Sequence, residues 1–486
     1  MQGKSKIVND PIHGHIRLER YQLDVIDTPQ FQRLRDLKQV GTTYLVFPGA
    51  SHNRFEHCIG TSYLAGEWLL ALQQAQPELG INEHDLKMIR IAGLCHDLGH
   101  GPFSHAFEEW IHKVRPDRPD YRHEQMSVSL LELLIEENGL DYSPAEITLI
   151  ADLIRGKPSE GVVYTKRFMF DIVSNDRNSI DVDKFDYIAR DCYNLGMKSS
   201  LDHTRLIKFS RVIDDKICFH AKEAFTLYEL FHTRYSLWKQ VYSHRVGKSI
   251  EYMIGDAFSM ADQHLDPPIS QAIDDPRVYS LLNDTILRVL EASRSEDLAP
   301  CRALIRRIRK RDIYPFINEV LLTGEQYARV RSEVTPEMIC GYSAEEQLRP
   351  EHIRLHCFSI NFAMKEQNPV DRVDFFRKWD ATECYQIPKA EVSLLIPERF
   401  AEYYIRIFCT DQSLRAATHE AFNKMVNGFI RVVQPNRAHD IPPSPLKTPH
   451  QSQEPSSTPT PTPTKIASAR PLHYQSQSPA KKFRST

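Results

Sequence analysis

Apolar residues recur at steps of three and four along most of this chain, the period of an amphipathic helix. A face that starts at His57 continues through Leu64, Trp68, Ala71 and Ala75 and predicts one long helix. Leu86, Ile89, Gly93, His96 and His100 keep the same stepping, with Asn82 placed as the N-cap three residues before Asp85. Residues 224–262 are rich in helix formers and aromatics and read as one or two long helices. The period shortens only late. Ile353, Leu355 and Cys357 alternate with Arg354, His356 and Phe358, the mark of a half-buried strand. Val373–Trp379 and Glu383–Ile387 are expected as short strands of a neighbouring sheet. The pattern therefore predicts a mainly α fold: a helical core over 1–315, a smaller α+β lobe over 316–433, and an ordered region ending near Val433.

Beyond that point the pattern disappears. Residues 434–486 hold few large apolar side chains and repeated Pro, Ser and Thr. They bury too little surface to offset their ordering entropy, so a disordered tail is expected. The tail is basic. Ser444, Thr462 and Ser478 each precede Pro-x-Lys, a pattern that proline-directed cyclin-dependent kinases accept, and a phosphate there adds about −1.5 to −2 charges. Lys481, Lys482 and Arg484 form a short basic cluster suited to nuclear import.

The whole chain has 486 residues, 41% hydrophobic and 26% charged, with a formal charge of −3. This balance is that of a globular protein, and no apolar run approaches the roughly 18–20 residues of a membrane span. The N-terminus has no apolar signal segment. The nine cysteines are scattered without a CxxC pair, which with the missing signal predicts reduced thiols in the nucleus or cytoplasm. Near-neutral charge means that any affinity for single-stranded nucleic acid needs a local basic patch.

The chemistry concentrates in three segments. GLCHDLGHGPFSH, residues 93–105, brings His96, Asp97, His100 and His105 close together, and Gly99, Gly101 and Pro102 are expected to break the helix and turn His105 back over the site. Upstream, Arg54 lies one turn before His57. Downstream, Lys184, Tyr187 and Asp191 fall on one helical stripe flanked by Asp183. A cation, a phenol and an acid in line suit a phosphorylated sugar. His123, beside Glu124, follows a loop near the same segment. Carboxylates on faces that would otherwise be core are costly unless paired, and a shared metal removes the cost. His57, His96, Asp97 and Asp183 are the expected ligands. Two imidazoles and two carboxylates suit a divalent ion, with Zn foremost and Fe, Mn or Mg as alternatives, carrying a water of lowered pKa.

The order His57, His96-Asp97, Asp183 resembles the H…HD…D signature of the HD superfamily. DPIHGHI, IDTPQFQRLR, FPGASHNRFEH, AGLCHDLGHGPFSH, IDVDKFDYIARDC and FHTRYSL extend the likeness, from about Lys6 to Arg406, to the eukaryotic SAM-and-HD-domain deoxynucleoside triphosphate triphosphohydrolases. The resemblance implies hydrolysis of a dNTP at the α-phosphorus, giving a deoxynucleoside and inorganic triphosphate. It implies His100, His105 and His123 as active-site histidines, with His105 protonating the leaving 5′ oxygen and Glu108 orienting it. The family has Asp at the position of Glu108. Arg54, Lys184, Tyr187 and Arg234 match the triphosphate clamp, Gln39 with its neighbour Val40 and Asp191 match the sugar contacts, and Tyr242 matches a steric gate beside the sugar.

The resemblance also implies allostery. GTP or dGTP and then a dNTP would bind between subunits and assemble an active homotetramer. Lys6, Ile7, Asn9, Asp27, Gln32 and Arg35 match the guanine-nucleotide site. Arg205, Phe209, Lys222, His244, Arg245, Val246 and Arg311 match the second-nucleotide and interface positions. Basic residues of the family are replaced here by Pro315 and Gln367, and an Asn by Thr226. The region of resemblance begins within a few residues of Met1, so no leading SAM domain is expected ahead of it. Roles in antiviral restriction and DNA repair are implied by resemblance alone. The alternatives are another HD-type nucleotide phosphohydrolase and a nucleic-acid-binding scaffold on an inherited HD core.

Overall fold

The long periodic stretches fold as helices whose ends are set by local capping. In the computed structural model, which describes residues 5–430, the chain opens with an antiparallel hairpin, β1 (Lys6–Asp10) and β2 (Gly14–Leu18). The helices that build the site follow: α1 (Arg54–Ala75), α2 (Glu83–Cys95), α3 (His105–Val114), α4 (His123–Asn138) and α5 (Val182–Leu195). Asn53 and Glu56 close a reciprocal capping box on α1, and Asn82 and Asp85 do the same on α2. Asp181 caps α5 through the Lys184 N–H, and Gly196, at φ 67°, ends it.

A second hairpin, β3 (Ser210–Ile213) and β4 (Lys216–His220), leads into α6 (Ala224–Leu237) and α7 (Arg245–Asp262). A π-helical turn over Trp238–Tyr242 follows directly on α6. The predicted long helical segment is thus two helices. The fully buried Trp68 joins these parts: its ring stacks on Phe185 at 5.4 Å, and its indole N–H donates to Ser210 Oγ at 2.8 Å. Gly93 lets α1 and α2 approach, because a Cβ there would lie 2.9 Å from Ser62 Cα. That close crossing sets His57 opposite His96.

The lobe holds β5 (Phe316–Leu322), β6 (Ile353–Asn361) and β8 (Ala401–Cys409), ordered β5-β8-β6 and antiparallel throughout. Ile317, Leu322, Ile405 and Ile407 pack with Phe422 of the helix Arg415–Met425 in an apolar cluster of their own. Core and lobe belong to one compact unit, Met1–Val433.

Five expectations change. The α2 helix stops at Cys95, so His96 is its C-cap and the stepping to His100 is not helical. The break precedes Gly99 and Gly101, because residues 96–99 already turn. The expected strand at Val373–Trp379 reduces to β7 (Phe375–Phe376), which pairs parallel with β4 and not with the lobe sheet. Glu383–Ile387 contributes only a bridge of Tyr385 to Phe375. The hairpins β1–β2 and β3–β4 add sheet to a region expected to be helical. Among the described residues no helix is long and apolar enough to cross a membrane. Ser444, Thr462, Ser478 and the basic cluster lie outside the described residues.

Candidate active site and metal centre

Three helices deliver the four expected metal ligands to one point: His57 from α1, His96 and Asp97 from the end of α2, and Asp183 from the first turn of α5. The Nε2 atoms of His57 and His96 stand 3.2 Å apart. Asp183 Oδ1 lies 3.2 Å from the first and 3.4 Å from the second, and Asp97 oxygens lie 3.6 and 3.5 Å from the same two nitrogens.

These residues fit a divalent cation. His57 Nδ1 donates to Asp186 at 2.7 Å and His96 Nδ1 donates to Gly93 O at 2.8 Å. With each Nδ1 engaged, each Nε2 is left facing carboxylate oxygens, where it can hold either a proton or a cation. Ligands about 2.0–2.1 Å from a tetrahedral centre are about 3.4 Å from each other, close to the separations here. Burial opposes charge at His57, but Asp183 and Asp186 override it and lift its pKa to about 10. Asp183 is held well below the usual carboxylate range, against its burial, by His57 and His96.

A second cluster adjoins the first. The rings of His100 and His123 stack at 3.9 Å, and His105 meets them edge-on at 5.2 and 5.6 Å. Phe103 and Ser104, both at φ 60°, form the tight turn that brings His105 back from the end of α2. Glu108 corrects one expectation. It accepts from His123 Nδ1 at 2.8 Å and not from His105. Despite burial, this bond raises the His123 pKa and lowers that of Glu108. Burial, with the positive charge of His123, brings His105 down to about 4. Of the three rings, His123 is therefore the one whose surroundings favour the proton.

The stripe on α5 lies alongside. Lys184 Nζ is 3.0 Å from Asp181, and desolvation raises the pKa of the half-buried Tyr187 phenol against the opposing charges of Arg234 and Lys184. Arg234 donates to Asn361 O at 2.7 Å, while its buried Nε has no partner. Asp191 accepts from His52 Nε2 at 2.6 Å and from the Tyr242 hydroxyl. Gln39 joins this corner through its N–H to His52 O at 3.0 Å, and its side-chain carbonyl is buried without a partner. Val40 follows at the head of the helical turn Gly41–Leu45. Arg54 is tied inward: it pairs with Asp97, donates to Ser104 Oγ at 3.1 Å and to Gln39 O at 3.2 Å. Two residues not anticipated hold the site's loops. Asp284 accepts from the N–H groups of Lys38 and Phe103 at 2.9 and 2.7 Å, and Asp186 backs His57.

The expected effector residues lie at the surface. Lys6, Ile7 and Asn9 are exposed on β1. Asp27 is exposed at the end of a short helix, Gln32 donates to Ile26 O at 2.8 Å, and Arg35 bonds Gln32 while its guanidinium covers the Phe55 ring at 3.5 Å. Arg205 covers Phe209 at 4.5 Å and pairs with Glu223, next to the exposed Lys222. Arg245 covers Phe316 at 5.1 Å between His244 and Val246, and Arg311 donates to Leu45 O at 2.7 Å.

Paired imidazoles and carboxylates on three helices, with the His-Asp dipeptide at a helix end, define an HD domain, and the HD family model matches residues 54–191. Relatives matched along most of their length narrow this class. The chain is 46% identical to the deoxynucleoside triphosphate triphosphohydrolase SAMHD1 homolog of Dictyostelium discoideum, over 91% of this chain and 83% of that one. It is 40% identical to deoxynucleoside triphosphate triphosphohydrolase SAMHD1 of Bos taurus, over 89% and 80%, and 41% identical to that of Homo sapiens, over 83% and 70%. The chain belongs to the SAMHD1 family of deoxynucleoside triphosphate triphosphohydrolases. Membership implies a divalent metal, which the ligand set accommodates.

Proposed function

We propose that this protein hydrolyses dNTPs to a deoxynucleoside and inorganic triphosphate. The observation that carries the reading is the adjacency of the His57–His96–Asp97–Asp183 set and the His100–His105–His123 cluster, joined where His100 Nε2 comes within 3.4 Å of Asp97, with Lys184 and Tyr187 following Asp183 on α5 and Arg234 on α6. A bound divalent ion, with Zn first and Fe, Mn or Mg as alternatives, would supply a water of lowered pKa and neutralise charge developing at phosphorus. The chain's own residues do the rest. Lys184 and Arg234 bind phosphoryl oxygens, and the unpartnered Nε of Arg234 is free to donate. Gln39 and Asp191 receive the sugar, and the ring of Tyr242, fixed by its bond to Asp191, limits the space at the 2′ carbon. The proton for the leaving 5′ oxygen comes from the histidine cluster, with His123 holding it at rest and His105 as its neutral neighbour.

Regulation belongs to the same reading. GTP or dGTP at Lys6, Ile7, Asn9, Asp27, Gln32 and Arg35, and a dNTP at Arg205, Phe209, Lys222, His244, Arg245, Val246 and Arg311, activate the protein by assembling a tetramer. The exposed Asp27 carboxylate suits guanine, whose N1–H and N2–H groups are donors. Control of dNTP pools follows, with antiviral restriction and DNA repair as wider roles in the nucleus or cytoplasm.

The test is product identity. Incubation with dTTP and Mn²⁺, with and without GTP, is expected to release triphosphate only when GTP is present. Orthophosphate instead would assign another HD phosphohydrolase. Triphosphate without GTP would keep the chemistry and remove the switch, and no turnover in either case would overturn the activity.

A further inference from the structure

We propose that Asp186 is the positioning residue for the metal ligand His57, and that the turn of the N-terminal hairpin sets it through His13 and Arg190. Asp186 is completely buried, and donors surround both of its oxygens. His57 Nδ1 and Arg190 Nε reach Oδ2 at 2.7 and 2.8 Å, and His13 Nε2 and Arg190 Nη2 reach Oδ1 at 2.7 and 2.8 Å. Four donors fill the acceptor capacity of a carboxylate. The guanidinium of Arg190, also fully buried, continues to Asp10 Oδ2 at 2.9 Å. Asp10 in turn holds the hairpin turn, accepting from the N–H groups of Ile12 and His13 at 2.8 and 2.9 Å.

One chain of contacts therefore runs from the hairpin turn, through Asp10–Arg190 and through His13, to the far side of the imidazole that faces the metal position. The backbone of α1 is cut to receive it. A Cβ on Gly60, less than one turn beyond His57, would fall 1.9 Å from Asp186 Oδ1 and 2.5 Å from Arg190 Nη2. The missing side chain makes room for this carboxylate and this guanidinium against the helix that carries His57.

Ion pairs taken wholly out of water bring little net stability against apolar packing, so folding alone does not account for the cluster. Holding one imidazole tautomer, with Nδ1–H outward and Nε2 inward, does. A carboxylate in that position raises the basicity of the ligand and fixes its plane. If the turn lets go, Asp186 loses His13 and Arg190 loses Asp10, and the carboxylate is then held against His57 by Arg190 alone, whose guanidinium has lost its own anchor.

The experiment uses the full-length protein loaded with Zn²⁺ and reads metal, not turnover. His13→Gln, Asp10→Asn and Asp186→Asn are compared with wild type, and Arg406→Gln, which breaks the half-buried pair with Glu319 in the lobe, is the control for general loss of stability. The expected result is a 10–100-fold weaker retention of Zn²⁺ against a chelator in the three variants and none in the control. The Co²⁺-substituted forms are expected to show an altered ligand-field spectrum, which a purely structural role leaves unchanged. If Asp186→Asn fails to fold, the two hairpin variants, which leave α5 intact, decide the matter. Zn²⁺ retention and Co²⁺ spectra equal to wild type at equal loss of thermal stability would overturn the proposal.

Discussion

Gly99→Ala isolates the contact that joins the two histidine clusters. Gly99 lies in the turn after α2, where its backbone is of a kind any residue adopts, so the effect of a methyl group is steric. A Cβ there would stand 2.0 Å from the carbonyl oxygen of His123, 2.3 Å from Ser127 N and 2.7 Å from the carbonyl carbon of Met126. All three are backbone atoms, which cannot swing away. Ordinary contact begins at 3.4 Å, so the start of α4 must retreat by about 3.4 − 2.0 = 1.4 Å. The turn cannot yield instead, because Gly99 N donates to Ser127 Oγ at 2.8 Å and Gly99 O accepts from Tyr279 at 2.7 Å. His123 is the first residue of α4 and moves with it. Overpacking of this kind costs about 1–3 kcal/mol of stability. A misplacement of about 1 Å at a catalytic group costs about 10²-fold in rate. Triphosphate release should therefore show kcat down about 100-fold with KM little changed, and urea unfolding should show a lower midpoint. A variant with kcat within about twofold of wild type and an unchanged midpoint would refute the steric argument.

Glu108→Gln removes the carboxylate that holds the proton on His123. The pair contributes stability that is complete below the ordinary His pKa of about 6.5 and is lost as pH rises through the raised value. The alkaline limb of the pH–kcat/KM profile should accordingly move to lower pH in the variant, and an unmoved limb would place the working proton elsewhere. His96→Ala or Asp97→Ala should lose bound metal, read by elemental analysis, together with turnover; retained activity would mean the ligands are misassigned. Asp284→Ala leaves the buried N–H groups of Lys38 and Phe103 without an acceptor, at about 1–3 kcal/mol each. The loops carrying Gln39 and His105 should loosen, seen as faster amide exchange at 38–40 and 101–104 and a higher KM, and unchanged exchange would count against the clamp.

The helices of this site were legible where sequence pattern and cap agree. Asn82 with Asp85, and the apolar face from His57 to Ala75, fix α2 and α1 with local chemistry alone. The end of α2 was not legible, because Leu98 is buried in a turn and extends an apolar period past the last helical hydrogen bond. The family resemblance implied that Glu108 orients His105, one turn before it. The turn at Phe103 and Ser104 instead starts α3 at an angle that presents Glu108 to α4. Asp186 and Arg190 offer the sequence only an i,i+4 spacing, because their significance comes from burial between a hairpin and two helices. The same holds for the hairpins: β1 and β2 have five residues each, too few for alternation to stand out, and β7 has two. The ligand quartet was legible because Asp and His are costly on buried faces, a signal that survives errors in secondary structure.

Because α1, α2 and α5 each supply part of one centre, the order of synthesis matters. Asp183 leaves the ribosome 183 − 96 = 87 residues after His96. At about 5–20 residues per second this interval lasts roughly 4–17 s. During it the nascent chain offers two imidazoles and one carboxylate, and neither the fourth ligand nor the carboxylate that orients His57 exists. An ion captured then is held by an incomplete and unoriented set and exchanges readily. The metal of the mature protein is therefore selected after α5 docks, by the finished cage and the ions available to it, and a chain truncated before residue 183 should carry no tightly held metal.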